Sequence, residues 1–223
     1  MFKSVLFHTN KLKLLRRFYR NVMGLEIIKS STEEFTVKVG ESTITFCQSD
    51  QPAFYHFAIN VPGNQFSIMK HWMQERLTLN REKAVDQIYF PNFDADSIYF
   101  EDPAGNLIEL IGRRNRDVFG NVTIDSFLNV SEVGIVTSHI IDVGDQLQDA
   151  GIPLWQGTEI NPESLNFLGK GDAFIVLVPP ERRWYFSKRN SETHPLEITL
   201  NDGIHISLDE DGEIVIRENP DGE

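Results

Sequence analysis

The stretch Tyr99-Phe100-Glu101-Asp102-Pro103-Ala104-Gly105-Asn106-Leu107-Ile108-Glu109-Leu110-Ile111 decides how this chain is read. It predicts two strands joined by a tight Asp-Pro-x-Gly turn, in which proline presets one turn position and glycine supplies a left-handed one. The second strand carries a single carboxylate, Glu109, inside an apolar run. A carboxylate on a buried strand face is costly unless it is paired, hydrogen-bonded or bound to a metal. Glu109 therefore needs a partner.

Working outward, three segments share one pattern: a strand, a helix, then strands closing in a hairpin. The first opens at Ser4-Val5-Leu6-Phe7-His8. Its helix is expected over 11–23, with Thr9 or Asn10 as N-cap and Gly24 as the stop. Strands are expected near 25–28, 35–39 and 43–47. The second opens at Tyr55-His56-Phe57-Ala58-Ile59-Asn60-Val61 and has a helix expected over 65–77; the Glu109 hairpin closes it. The third opens at Glu132-Val133-Gly134-Ile135-Val136-Thr137, with Ser138 capping a helix that Gly151 ends. After Pro179-Pro180 the chain turns polar, then alternates through 196–200, 204–208 and 213–217 around Asn-Asp-Gly and Asp-Gly turns, which predicts a meander.

Composition excludes several classes. The formal net charge of −12 on 223 residues argues against binding nucleic acid through phosphate neutralisation and against an anionic membrane surface. No apolar run approaches the ~20 residues of a membrane span, and no signal-peptide pattern opens the chain. Cys47 is the single cysteine, so no internal disulfide exists, and its apolar surroundings favour inert burial. Together these features lead to the expectation of a cytoplasmic protein.

Strand alternation places Phe54, His56, Ala58 and Asn60 on one face and Tyr55, Phe57, Ile59 and Val61 on the other. The first set is small and polar enough to line a cavity. The other histidines have plainer readings: His71 and His139 exposed on helices, His194 and His205 in the polar tail. Glu132 holds the third-segment position of His56, which leaves a ligand role open to it, but its plainer reading is a solvated strand-end acid. Arg113-Arg114-Asn115-Arg116-Asp117 reads as a solvated connector, or as a basic run at a cavity mouth. Trp155, Trp184 and Tyr185 read as core or interface aromatics, and Arg182, Arg183, Lys188 and Arg189 as basic surface.

Three of these stretches resemble the vicinal oxygen chelate superfamily, which includes glyoxalase I, extradiol dioxygenases and the fosfomycin-resistance and bleomycin-binding proteins. They are Phe18-Tyr19 with Val22-Met23-Gly24-Leu25, the strand His56–Val61, and the hairpin Glu101–Leu110 with its Asp-Pro-x-Gly-Asn turn. The resemblance implies an α+β fold in which repeated βαβββ modules form a curved mixed sheet around a cavity, here with a C-terminal β tail. The expected organisation is a two-module domain over 1–113, a third module over 126–187 and a meander over 188–223. An odd module leaves a sheet edge open, for which pairing in a homodimer is the economical cover.

The resemblance also implies a divalent metal (Zn, Ni, Mn or Fe) held by His56 and Glu109. The first module departs from the pattern, because its two ligand positions fall on Ser4 and Thr45, neither a strong transition-metal ligand. His8 is the alternative third ligand. It lies on the face of Ser4 but four residues on, about 13 Å at ~3.3 Å per residue. Ser4, Thr45 and Asn60 are then candidates for contact with a small-molecule substrate, and Glu109 is the catalytic candidate. The function implied is that of a metal-dependent lyase or dioxygenase of the glyoxalase type. The alternative is a metal-free protein of the same fold that binds or sequesters a small molecule.

Overall fold

The computed structural model describes residues 1–123 and 126–218, in which 14 strands and three helices form two seven-stranded sheets. The first module comprises β1 (Phe2–Thr9), α1 (Leu12–Asn21), β2 (Ile27–Ser30), β3 (Glu34–Val39) and β4 (Ser42–Gln48). The second comprises β5 (His56–Pro62), α2 (Phe66–Gln74), β6 (Ile88–Phe90), β7 (Ala95–Glu101) and β8 (Leu107–Arg113). Then follow β9 (Asn129–Val136), α3 (Ile140–Asp149), β10 (Asn166–Lys170) and β11 (Ala173–Val178), and the tail strands β12 (Leu196–Leu200), β13 (Ile204–Leu208) and β14 (Ile214–Glu218). The α+β class and the first two βαβββ modules are as the sequence implied; in the third segment two strands, not three, follow the helix.

The local chemistry explains the elements. Leu12, Leu15 and Tyr19 recur at helical spacing on α1 and are buried, and Phe66, Met69 and Met73 do the same on α2. In the Asp102–Gly105 turn, Gly105 takes φ +89° and returns its N–H to the Asp102 carbonyl at 2.9 Å. The expected helix caps are not made. Thr9 and Thr137 instead accept from the backbone N–H groups of Lys11 and His139 at 3.1 and 2.9 Å, just ahead of each helix.

The pairing of modules differs from the expectation that the first two share a sheet. One sheet has the order β14-β13-β12-β1-β4-β3-β2, and the other β10-β11-β9-β5-β8-β7-β6. The second module thus joins the third through antiparallel β5 and β9, and the first joins the tail through antiparallel β1 and β12. Burial gives the physical reason. β5 and β9 are buried along their whole length, whereas β1 and β12 alternate between buried and open positions. Strands buried on both faces match one another, and so do strands with one open face. The β1 edge is covered by the chain's own tail strand β12.

The sheets pack face to face through one core. Phe7 of β1 stacks on Tyr55, the residue just before β5, and on Phe57 of β5 at ring distances of 4.4 and 5.3 Å, and Tyr19 of α1 stacks on Phe46 at 4.9 Å. This uses the Tyr55/Phe57/Ile59 face of β5 and leaves His56, Ala58 and Asn60 on the far side. There the second sheet curls into a half-barrel whose two edges meet. Phe93, just after β6, lies 5.1 Å from Phe167 of β10 and stacks on Trp155 at 4.3 Å. Among the described residues no helix is long and apolar enough to cross a membrane.

Candidate functional site

Ala58 sits at the centre of the second sheet with Glu109 opposite it on β8 and Glu132 opposite it on β9. A methyl group between two carboxylates leaves space above it, and His56 faces the same space two residues earlier on β5. His56, Glu109 and Glu132 are all buried, and each offers a ligand atom within 4.8 Å of the others. His56 Nε2 lies 3.7 Å from Glu109 Oε2. Its Nδ1 lies 3.1 Å from the Leu107 carbonyl oxygen, an acceptor only, so the proton resides on Nδ1 and Nε2 turns its lone pair to the carboxylates.

Burial sets the protonation of the group. Desolvation pushes the Glu109 carboxyl up to about 7, against the opposing pull of neighbouring hydroxyls and Arg113. It pushes Glu132 up to about 8, with the Glu109 charge adding and Arg113 subtracting. Desolvation holds His56 down at about 4, so its imidazole is neutral across the physiological range.

Arg113 underlies the group as its one buried cation among the described residues. Its Nη2 lies 3.6 Å from Glu132 Oε1, and its Nη1 donates to Asn60 Oδ1 and, at 2.9 Å, to Ser131 Oγ. Consecutive residues Ser131 and Glu132 both reach Arg113 because β9 bulges there: Ala58 pairs with Glu132 but Ile59 with Val130. Asn60 completes this floor by donating to Asn129 Oδ1 at 2.7 Å and to the Asp172 carbonyl at 3.0 Å.

Above the three side chains lies a cavity of about 440 Å³ whose walls include Phe90, Phe93, Tyr99, Phe167, Trp184 and Tyr185. The loop after β11 brings Trp184 to 4.7 Å from the His56 ring and stacks Phe186 on Tyr99 at 4.8 Å. This loop is pinned by the Arg183–Glu82 ion pair, at 2.9 and 3.1 Å.

The sequence-derived candidates separate into two groups. His56 and Glu109 come together as expected. Ser4, Thr45 and His8 lie in the other sheet, outside the cavity lining, and Asn60 supports the floor. The strand register keeps the internal equivalence, since Leu6 pairs with Thr45 as Ala58 pairs with Glu109, and Ser4 with Thr43 as His56 with Leu107. Because the first module joins the tail, its positions face a different surface. His8 is half-buried there, and its backbone N–H donates to the Tyr55 hydroxyl at 3.1 Å.

Glu132 is the residue the sequence reading placed wrongly in solvent; it is 4% exposed. The signal that singles out Glu109, one acid in an apolar run, was equally present in Val130-Ser131-Glu132-Val133-Gly134-Ile135-Val136. Arg113, read as connector, is the last residue of β8 and is buried; Trp184, read as core or interface, lines the cavity.

The donor set fits a divalent cation. One neutral imidazole nitrogen and two carboxylates suit Mn, Fe, Ni or Zn, and their raised carboxyl values reflect a buried negative charge that a cation would relieve.

A family model described as toxoflavin-degrading enzyme matches residues 130–182. No curated protein matches the sequence. Among solved structures, a putative dioxygenase from Bacillus subtilis subsp. subtilis str. 168 aligns at a TM-score of 0.61 and 16% identity, over 90% of this chain and 70% of that one. A V278E mutant of glyoxalase I from Zea mays aligns at a TM-score of 0.58 and 14% identity, over 96% of this chain and 90% of that one. The repeated modules, the curled sheet around a cavity and these two alignments agree on one point: this chain shares the fold of the putative dioxygenase and of the glyoxalase I mutant.

Proposed function

We propose that the chain is a small-molecule enzyme of the metal-dependent lyase or dioxygenase type, with a divalent cation held by His56 Nε2 and the carboxylates of Glu109 and Glu132. The observation that carries this reading is the buried one-histidine, two-carboxylate group at the floor of an aromatic-walled cavity. When bound, such an ion acts as a Lewis acid toward substrate oxygens. The chain's own contributions are positional. The Leu107 carbonyl fixes the His56 tautomer, Arg113 holds Glu132 from below, and Trp184 and Tyr99 shield the group from water.

A second reading, a metal-free binding protein, is favoured by Arg113. This cation already offsets part of the negative charge, and one shared proton between Glu109 and Glu132 would offset the rest. Metal analysis of protein purified without chelator or affinity tag, followed by calorimetric titration with Mn, Ni, Zn and Fe(II), separates the two. The metal reading expects one ion per chain, lost in Glu109→Gln and Glu132→Gln and kept in Ser4→Ala and His8→Ala. Wild-type protein that takes up none of the four ions would leave the binding protein as the correct description.

A further inference from the structure

The pair Arg182-Arg183 follows the last strand of the third module, and both residues line the cavity. Their situations differ. The Arg183 guanidinium makes a two-point contact with Glu82 and donates to the Ser187 carbonyl at 2.8 Å. The Arg182 guanidinium has no acidic or hydrogen-bonding partner among the described residues, yet its backbone is tightly fixed. Its N–H donates to Ser191 Oγ at 3.0 Å, its carbonyl accepts from the Ser191 N–H at 2.8 Å, and Ser191 Oγ donates to the Pro179 carbonyl at 2.6 Å. A half-buried, anchored and uncommitted guanidinium at a cavity wall is a ready fork for a carboxylate or a similar flat anion.

The remaining walls narrow the choice. Phe93 and Phe167 form one aromatic group, Tyr99 and Trp184 another, and rings of this kind favour flat π-systems. At the floor, Arg113 is already committed to Glu132, Asn60 and Ser131, so no free cation there competes with Arg182 for an acid. An acidic ligand is therefore directed with its charge toward Arg182 and its uncharged end toward the floor.

We propose that the cavity takes a planar aromatic or heteroaromatic molecule bearing one acidic group, with the ring among the aromatic walls and the acid on Arg182. This deepens the function proposed above and rests on the same cavity, but it does not require the ion.

The test uses 2-naphthoate and its neutral counterpart 2-naphthamide, titrated at pH 7 in the presence of chelator and followed by tryptophan fluorescence and calorimetry. Wild-type protein should bind the acid about tenfold more tightly than the amide. Arg182→Gln should abolish that preference while leaving amide affinity unchanged, which also shows that the variant is folded; Arg182→Lys should retain part of it. Equal affinity for both probes, no binding of either, loss of both in Arg182→Gln, or undiminished preference in that variant would each overturn the assignment. Metal uptake by Arg182→Gln should equal that of wild type. An absence of metal uptake in wild type, with the acid preference intact, would sink the metal reading alone.

Discussion

The hydroxyl of Tyr19 donates to Asp102 Oδ2 at 2.8 Å, joining the helix of the first module to the hairpin turn of the second across the interface between the two sheets. The two most recognisable motifs of the sequence, Phe18-Tyr19 and Asp102-Pro103-Ala104-Gly105, thus meet in space. Asp102 also accepts from the Ala104 and Asn106 backbone N–H groups and from the Asn106 side chain, at 2.8, 3.1 and 2.7 Å.

Tyr19→Phe keeps the ring stacked on Phe46 but removes one of these donors. A buried carboxylate left short of a donor costs about 1–3 kcal/mol, so the variant should lose that much in a denaturant melt at pH 7. Burial has already pushed Asp102 up to about 6, and loss of the hydroxyl that opposes this shift should raise it further. The destabilisation should therefore shrink at pH 4, where the carboxyl is protonated. An equal loss at both pH values would point to packing instead.

Stability of the metal-free protein should fall as pH rises from 6.5 to 9. Glu109 and Glu132 retain protons to about 7 and 8 when folded and release them near 4.5 when unfolded. The folded state therefore binds more protons through that window, and stability declines as pH climbs through the folded values. The fall is on the order of 2–4 kcal/mol by linkage. His56, held near 4, acts in the opposite sense, but only below 6.5. Glu109→Gln should be neutral or up to ~2 kcal/mol more stable in chelator at pH 8, with a flatter pH profile. Urea melts from pH 6.5 to 9 decide the matter; a wild-type profile that rises with pH would refute it.

Gly40→Ala should be among the most damaging substitutions far from the cavity. Gly40 lies at φ +56°, and an added Cβ would fall 2.0 Å from the Leu128 carbonyl oxygen and 2.3 Å from that of Phe127. The neighbouring Glu41 N–H donates to the same Leu128 carbonyl at 2.9 Å, so the turn between β3 and β4 is seated directly on the chain entering β9. With backbone on both sides there is no flexible side chain to yield. A loss of at least ~3 kcal/mol, or no soluble folded protein, is expected in thermal melts. A shift within a degree or two of wild type would contradict this seating.

Local chemistry was legible in the sequence where the signal was local. The Asp-Pro-x-Gly turn, the three helices and the faces of β5 follow from nearby residues, and the correspondence of Ser4 with His56 and Thr45 with Glu109 survives in the strand register. The partner of each module was not legible. It depends on whether β9 or β12 lies beside a given strand, a choice made by burial on both faces of strands far apart in the sequence. Glu132 was misplaced for the same reason. A strand-end acid is solvated at an open edge and buried beside β5, and only the pairing tells which applies. Trp184 and Arg182 were invisible because a loop's destination has no periodicity to betray it.

His56, Glu109 and Glu132 all come from one continuous stretch of a single chain, and the β1 edge of the other sheet is covered by that same chain. No neighbouring copy has to lend a residue to this group. If the ion proposed above is bound by this group, its stoichiometry at saturating metal should not depend on the assembly the protein forms, and mixing intact copies with Glu109→Gln copies should give ion uptake linear in the intact fraction.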